Sequence, residues 1–399
     1  MKKNNEYNAP VVVLGLTANG LSVIRSLARR DIGVIGCDNH KHCGYFSRYL
    51  KARHILSNVK DNPEQFKSDI LRIGRELGRA FLFPTSDEYI KFISLNRNEL
   101  KEYFDFALPD ADTVAIFLNK QKTVEFAFKQ GIRCPQTMML SDASTVHQDV
   151  ENLKYPCFMK PAVSYLWAQK FDGRKGFIVN NREELLRIWK EHGHIAGGFA
   201  VQQIICGPDS NIYTFDVLCN KAGEEVFSVC THKLRQYPPH FGIGCFAEVA
   251  EQNSRIIEAG RKALGVIKYY GLISFEFKLD PDGGEPFLME ANLRTAFNGE
   301  LRVKAGADLP YFIYKYFVIG EVGRPDIKLK YSKFMNFELD LGCFYQMHRD
   351  KEITFWKWIK SYWPIPNAHA YFAWDDLMPW VKVYSNFLKV IFKKIFRIK

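Results

Sequence analysis

Nine cysteines are spread singly through the 399 residues, with no CxxC pair among them. That spacing excludes the paired-cysteine zinc and thioredoxin-type patterns and argues against a disulfide framework, so a reduced, cytoplasmic setting is expected. One stretch, CDNHKHC over Cys37–Cys43, gathers two cysteines and two histidines. Its spacing fits no common zinc pattern and it falls where a strand should open into a loop, so it reads as structural. No apolar run reaches the ~18 residues that a membrane-spanning helix needs. The nearest, LPYFIYKYFVIG at 309–320, is too short, carries Lys315, and reads as a buried helix. The opening MKKNNEYNAP is polar and shows no secretory h-region. No internal repeat and no Gly/Ser/Pro-rich tract stands out, which leaves packed domains joined by short linkers.

What is present is a chain with an ordinary core. Hydrophobic residues make up 47% and charged residues 25%, as in a folded globular protein. At about 150 residues per domain the length suggests two or three domains. The net charge of +11 is uneven. From Pro379 to Lys399 the chain carries Lys382, Lys389, Lys393, Lys394, Arg397 and Lys399 and no acid, more than half of that excess. Val383, Tyr384, Phe387, Leu388, Ile391, Ile395 and Ile398 recur there at helical spacing, which predicts a basic amphipathic helix. Such a helix either lies on the anionic inner face of a membrane or docks on the protein with its lysines in water, and the sequence leaves both open. Elsewhere no basic stripe is concentrated enough to suggest nucleic acid.

Residues 11–38 read strand, glycine-bracketed turn, helix, strand, with Gly15 and Gly20 around the turn and Asp38 ending the second strand. A continuous apolar run such as VVVLGL suits a buried parallel strand. The turn lacks the full GxGxxG set, so it is weak support for a dinucleotide site. FLFPTSDE at 81–88 reads as a further strand ending in Asp87 and Glu88, at the sheet edge where open α/β folds bind ligands. The same residues are also good helix-start residues. Near Asn119 a second section opens with a helix closed by Gly131. It is followed by the strand YPCFMKP with Lys160, a lysine that burial would force to find an anion partner. AVQQIICGPD at 200–209 is a strand running into a Gly-Pro turn.

The most informative segment is GLISFEFKLDPDGGEPFLMEANLR at 271–294, two strands about a DPDGG turn with Glu276 and Glu290 on opposite arms. Taken alone, two acids on a hairpin are more often solvent-facing. Together with Asn292 they form a hard oxygen set of the kind Mg²⁺ takes alongside phosphate oxygens.

The order of these elements, from about Val11 to Gly320, resembles the ATP-grasp superfamily and within it the carboxylate–amine ligases. HKLRQYPPHFG is similar to a segment of the branch that holds D-aspartate ligases and enzymes of surface-glycan gene clusters. The resemblance implies an α/β Rossmann-like domain at 1–112 and an α+β ATP-grasp domain at 113–325 with subdomains 113–200 and 201–325. A C-terminal extension at 326–399 ends in the basic helix. It implies ATP with Mg²⁺, or Mn²⁺ in its place, and small amine and carboxylate substrates, a lipid-linked one included. It leaves a homodimer open.

By position in the motifs, Lys120 and Lys160 match phosphate-binding lysines, with Lys170, Arg174 and Lys175 as further cations in the intervening loop. Gln202, Gln203, Ile204 and Ile205 match the adenine hinge, and Asp209 the ribose contact. Glu276, Glu290 and Asn292 match the metal triad and Arg294 the arginine that holds the transferred phosphate. Lys233 and Arg235 are expected at a substrate carboxylate, and Asp87 and Glu88 beside another substrate. Two departures stand out. The loop AVSYLWAQKFDGRKG after Lys160 has only Gly173 and Gly176, where the family is usually glycine-rich, so Lys175 either replaces amide dipoles or is simply solvated. Gln203 stands where many relatives carry glutamate. The implied chemistry is an amide bond made through an acyl phosphate, which the closed clasp keeps from being hydrolysed by water, and no base for the amine is identified. Two other classes stand beside this one: an ATP-binding module without turnover, and an NAD-dependent oxidoreductase, for which the glycine fingerprint is incomplete.

Overall fold

The structure, a computed structural model, describes residues 9–141, 146–161, 176–196, 198–249, 252–265, 267, 269–281 and 284–395. Lys170, Arg174 and Lys175 lie outside these residues. Among the described residues three sheets carry the fold. The first is parallel, in the order β3-β2-β1-β4-β5, from β1 (Val11–Leu14), β2 (Val34–Asp38), β3 (Ala52–Ile55), β4 (Ala80–Pro84) and β5 (Phe104–Asp105). Both faces are covered, which is why these strands read as apolar runs without alternation. Val12 and Leu14 pack with Phe66 and Ile70 of α2 (Pro63–Leu77) and Ile90 and Ile93 of α3 (Asp87–Leu95). Val11 and Val13 face α1 (Ala18–Ala28) and the buried helix Leu309–Tyr314. The turn into α1 requires its glycines: Gly15 has φ +94°, and a Cβ on Gly20 would stand 1.9 Å from the Gly15 carbonyl oxygen.

The second sheet is antiparallel, in the order β6-β9-β7-β8, from β6 (Thr137–Leu140), β7 (Cys157–Pro161), β8 (Phe177–Val179) and β9 (Phe199–Gln203). The helix Arg182–Ala196 lays Leu185 and Ile188 on it to make a separate small core. The third sheet runs β14-β13-β10-β11-β12-β15-β16, from β10 (Ile212–Cys219), β11 (Glu225–Tyr237), β12 (Ile243–Val249), β13 (Gly271–Leu279), β14 (Pro286–Asn292), β15 (Ser332–Met335) and β16 (Ala368–His369). All its pairings are antiparallel except β15 with β16. One core runs from the first sheet into the third. Phe117 is its hinge, with ring centroids 5.5 Å from Phe126, 6.1 Å from Phe275 and 6.3 Å from Tyr269.

The segment expected as a C-terminal extension is woven into this body, since β15 and β16 extend the third sheet. The helix Met378–Ile395 docks through its first turns. Buried Asp376 just before it takes hydrogen bonds from Arg25 Nε (3.0 Å), Ser47 Oγ (2.8 Å) and the Arg48 amide (2.9 Å). Lys382 Nζ stands 5.4 Å from the centre of the Phe46 ring. Of the two readings for the tail, docking therefore holds for its beginning. Among the described residues no helix is long and apolar enough to cross a membrane.

Candidate active site

The hairpin β13–β14 places its acids side by side. Glu276 pairs directly with Glu290 across the strands, and Ser274 with Asn292. Directly opposed residues of an antiparallel pair have Cβ atoms roughly 5 Å apart, and like charges there repel. The Glu290 carboxyl is pushed above the usual range, first by burial and then by the Glu276 charge, while Lys120 and Arg294 pull it back. Two carboxylates and an amide oxygen under that strain fit a small hard cation that completes its shell with other oxygens.

This hairpin forms one wall of a cavity of about 750 Å³. The opposite wall is the carboxyl edge of the first sheet, with Thr17–Asn19 before and within α1, His42 after β2, and Thr85–Glu88 after β4. Arg294 bridges the two walls, donating from Nε to Asp87 Oδ1 at 2.8 Å. Asp87 and Glu88 thus act both as the first residues of α3 and as cavity lining. Lys60 lies 2.6 Å from Glu88 and holds its carboxyl down to about 2. A smaller cavity of about 80 Å³ shares Asp87, Glu290 and Asn292 and adds Lys120 and Gln202. Lys120 begins the helix Lys120–Lys129, whose Asn119 cap accepts from the Lys122 amide at 3.1 Å. A cation at a helix start opposes the helix dipole, so its value lies in the acids it faces.

Other expected residues fall differently. On β9, Gln202 lines the small cavity, but Gln203 points to the far side, where its Oε1 accepts from the Gln136 amide at 3.2 Å. Successive strand residues face opposite ways, so the pair cannot serve one pocket. The Ile204 amide is spent on the Pro156 carbonyl at 2.8 Å, and the Ile205 side chain is buried. Asp209, expected at a ribose, is only 4% exposed, and its carboxylate takes Gln236 Nε2 at 2.8 Å and the His240 amide at 3.4 Å. It closes a turn and does not line the cavity. Lys160 is exposed, so burial does not force a partner on it. It shares a strand face with Phe158, whose ring stacks on Phe241 at 5.2 Å across the gap between the second and third sheets.

Lys233 and Arg235 separate. Lys233 lines the cavity, donating to Glu276 Oε2 at 3.0 Å and Gln236 Oε1 at 3.3 Å. Arg235 faces away, and this corrects the expectation that it holds a substrate. Its guanidinium is buried on Asp340 (2.7 and 3.0 Å) and over the Phe246 ring at 4.1 Å. The reason is a register shift between the two, which pairs Lys233 with Ala247 and Arg235 with Phe246 and leaves Leu234 extra.

Sequence reasoning did not place His42 or the C-terminal residues Tyr371 and Val383, all of which line the cavity. The CDNHKHC stretch was the visible signal for His42. It is not a zinc site: Cys37 is buried in the core, Cys43 donates to the Leu16 carbonyl at 3.5 Å, and His42 is held by Asp38. Asp38 also accepts the Leu16 amide at 2.6 Å and the Asn39 amide at 2.8 Å, which leaves it no free oxygen for a dinucleotide ribose.

No known family profile matches the sequence. D-aspartate ligase of Enterococcus faecium is 29% identical over 269 residues, a match that spans 63% of this chain and 63% of that protein. N5-carboxyaminoimidazole synthetase of Staphylococcus aureus superposes with a TM-score of 0.65 at 13% identity, over 86% of each chain. The biotin carboxylase domain of 2-oxoglutarate carboxylase from Hydrogenobacter thermophilus, a dimer solved with MgADP and bicarbonate, gives 0.62 at 17% identity, over 81% of this chain and 73% of that one. L-amino acid ligase of Bacillus licheniformis gives 0.58 at 15% identity, over 79% and 75%.

Proposed function

We propose that this chain, which has the ATP-grasp fold of those structures, is an ATP-dependent ligase that joins a carboxylate to an amine through an acyl phosphate. The observation that carries the reading is the in-register pair Glu276 and Glu290 with Asn292, facing Lys120 and Arg294 inside a cavity closed by the first sheet. The γ-phosphate of ATP and a carboxylate oxygen repel at contact distance, so transfer needs positive charge already in place. Glu276, Glu290 and Asn292 would hold Mg²⁺, or Mn²⁺, which would supply part of it. Lys120 and Lys160 line the approach of the phosphates, with Lys175 as a further cation, and Arg294, anchored by Asp87, meets the transferred group. Gln202 and the chain at Ile204 and Ile205 border the base. Lys233, which donates to Glu276, lets it go and takes a substrate carboxylate in this reading.

In this reading residues 1–112 form a Rossmann-like unit that carries the acceptor and 113–325 the nucleotide clasp. D-aspartate, from the name of the relative, is the first acid to try. The acceptor amine belongs to a cell-wall or surface-polysaccharide precursor, lipid-linked at a membrane. Val383 supports that reading, because the basic helix itself walls the cavity. A homodimer, the assembly of the biotin carboxylase domain, is the oligomer this reading carries over.

The test is release of ADP and phosphate from Mg²⁺-ATP, screened with D-aspartate and a panel of other carboxylates against amino-acid amines. Turnover that needs one acid–amine pair and falls by about 10²-fold or more in Glu290→Gln supports the ligase. ATP binding with no acid-dependent release in any pairing, in the presence of anionic vesicles as well, sinks it in favour of a binding module.

A further inference from the structure

His42 and Asp38 form a pair that the reading above does not use. His42 Nδ1 lies 2.9 Å from Asp38 Oδ2. The carboxylate is buried and fixed by the Leu16 and Asn39 amides and by the Tyr89 hydroxyl at 3.2 Å. An acceptor so placed selects the imidazole tautomer with its proton on Nδ1 and leaves the Nε2 lone pair pointing the other way. His42 lines the cavity, and Nε2 has no hydrogen-bond partner among the described residues. The pair is tied to the phosphate end of the cavity through one helix turn: on α3, Asp87 holds Arg294 and Tyr89, two residues on, holds Asp38.

The geometry points to His42, oriented by Asp38, as the base that deprotonates the amine substrate. This rests on the ligase reading. The amine enters as an ammonium ion, since amino groups titrate at about 7.7 to 10.4 in water. Nε2 of neutral His42 takes one proton and frees the nitrogen lone pair. That pair forms the C–N bond as the C–O bond of the acyl phosphate breaks. The electrons of the broken bond leave on phosphate, which takes the second nitrogen proton.

The surroundings suit the role. Asp38 raises the imidazole above its ordinary value, which strengthens it as a base near neutrality. His42 touches Asp38 on β2 and His40 on its own loop, Tyr89 of α3 holds Asp38 from the other side, and the ionisable groups that share the cavity lining with it are Cys43, Asp87, Glu88, Lys233, Glu276, Glu290, Arg294 and Tyr371. Burial pushes the Cys43 thiol and the Tyr89 and Tyr371 hydroxyls up, and Lys60 holds the Glu88 carboxyl down, so all four are moved away from neutrality.

Two nucleophiles separate the steps. Hydroxylamine is uncharged at pH 7 and traps the acyl phosphate as a hydroxamate without a base, whereas methylamine arrives as an ammonium ion. With Mg²⁺-ATP and the acid panel, D-aspartate first, His42→Gln is expected to form hydroxamate as the native protein does. Its N-methylamide formation at pH 7 falls by about 10²-fold or more, the scale of a lost general base. In the native protein the N-methylamide rate rises with pH through a value above 6.5, and in Asp38→Asn that limb moves to lower pH. Equal loss of both products in a folded His42→Gln protein, or an N-methylamide rate and pH profile unchanged by it, overturns the proposal. A native protein that gives no hydroxamate with any acid overturns the ligase reading itself.

Discussion

On β11, Lys233 and Arg235 are two residues apart, and a regular strand would turn both toward the cavity. The extra residue Leu234 reverses the second, and Arg235 ends on Asp340, whose side chain is fully buried and also accepts from Trp358 Nε1 at 2.8 Å. Removing one partner of a buried ion pair strands the other charge without water, which costs more than the pair itself contributes. Arg235→Ala is therefore expected to lower the unfolding free energy by roughly 3–5 kcal/mol in a denaturant titration, with KM unchanged in the protein that remains folded. A raised KM with little loss of stability would return Arg235 to the substrate site. Glu290 teaches the same lesson with opposite sign: its carboxyl sits above the usual range first through burial and then through the Glu276 charge set in register with it, and neither is a property of one residue.

At the scale of elements, the clasp depends on contacts between sheets with separate cores. The second sheet has its own apolar cluster, including Met159 and Leu185, and meets the third through the stack of Phe158 on Phe241 in the β11–β12 turn. Lys160 rides on the same strand face as Phe158, so on the proposed ATP reading this stack bears on how that lysine meets the phosphates. An aromatic pair of this kind is worth about 0.5–1.5 kcal/mol, so Phe241→Ala is expected to raise the KM for ATP by about two- to tenfold. The loss should appear in KM with kcat nearly intact. A drop in kcat alone would show that the stack positions the reacting groups and not the closed clasp. Helix and strand placement was readable beforehand because the apolar spacing and caps are local: Asn119 caps its helix, Gly131 closes it with φ +63°, and the 271–294 hairpin pairs as its turn implies.

Over the whole molecule, α1 of the first sheet and the C-terminal segment meet. Arg25 of α1 is buried on Asp376, so the C-terminal helix starts from the first sheet and passes the cavity at Val383. The C-terminal segment exposes Trp356, Trp363 and Trp374 at 70%, 76% and 83%, side chains whose half-polar rings suit a membrane interface. Ending the chain before Asn386 spares Val383 and Tyr384 and removes five of the six cations between Pro379 and Lys399. At roughly 1 kcal/mol for each cation near an anionic surface, that truncation should weaken co-sedimentation with phosphatidylglycerol vesicles by at least about a hundredfold. Turnover of soluble substrates should persist. Co-sedimentation equal to that of the full chain would rule out the tail as a membrane contact.

The sequence by itself determined what short range can encode: a buried parallel strand at 11–14, the glycine turn into α1, the acidic hairpin, and the amphipathic basic tail. It also named Glu276, Glu290, Asn292, Lys120, Lys233 and Arg294, which the fold gathers around connected cavities. The tertiary structure decided the facing of each side chain. Alternation on β9 parted Gln203 from Gln202, one extra residue turned Arg235 inward, and burial enclosed Asp209. Only the folded chain could bring His42 to the same cavity as a hairpin more than 200 residues away. The physical reason is that a register shift of one residue, or a long-range ion pair such as Arg25–Asp376, leaves no periodic trace in the chain that makes it.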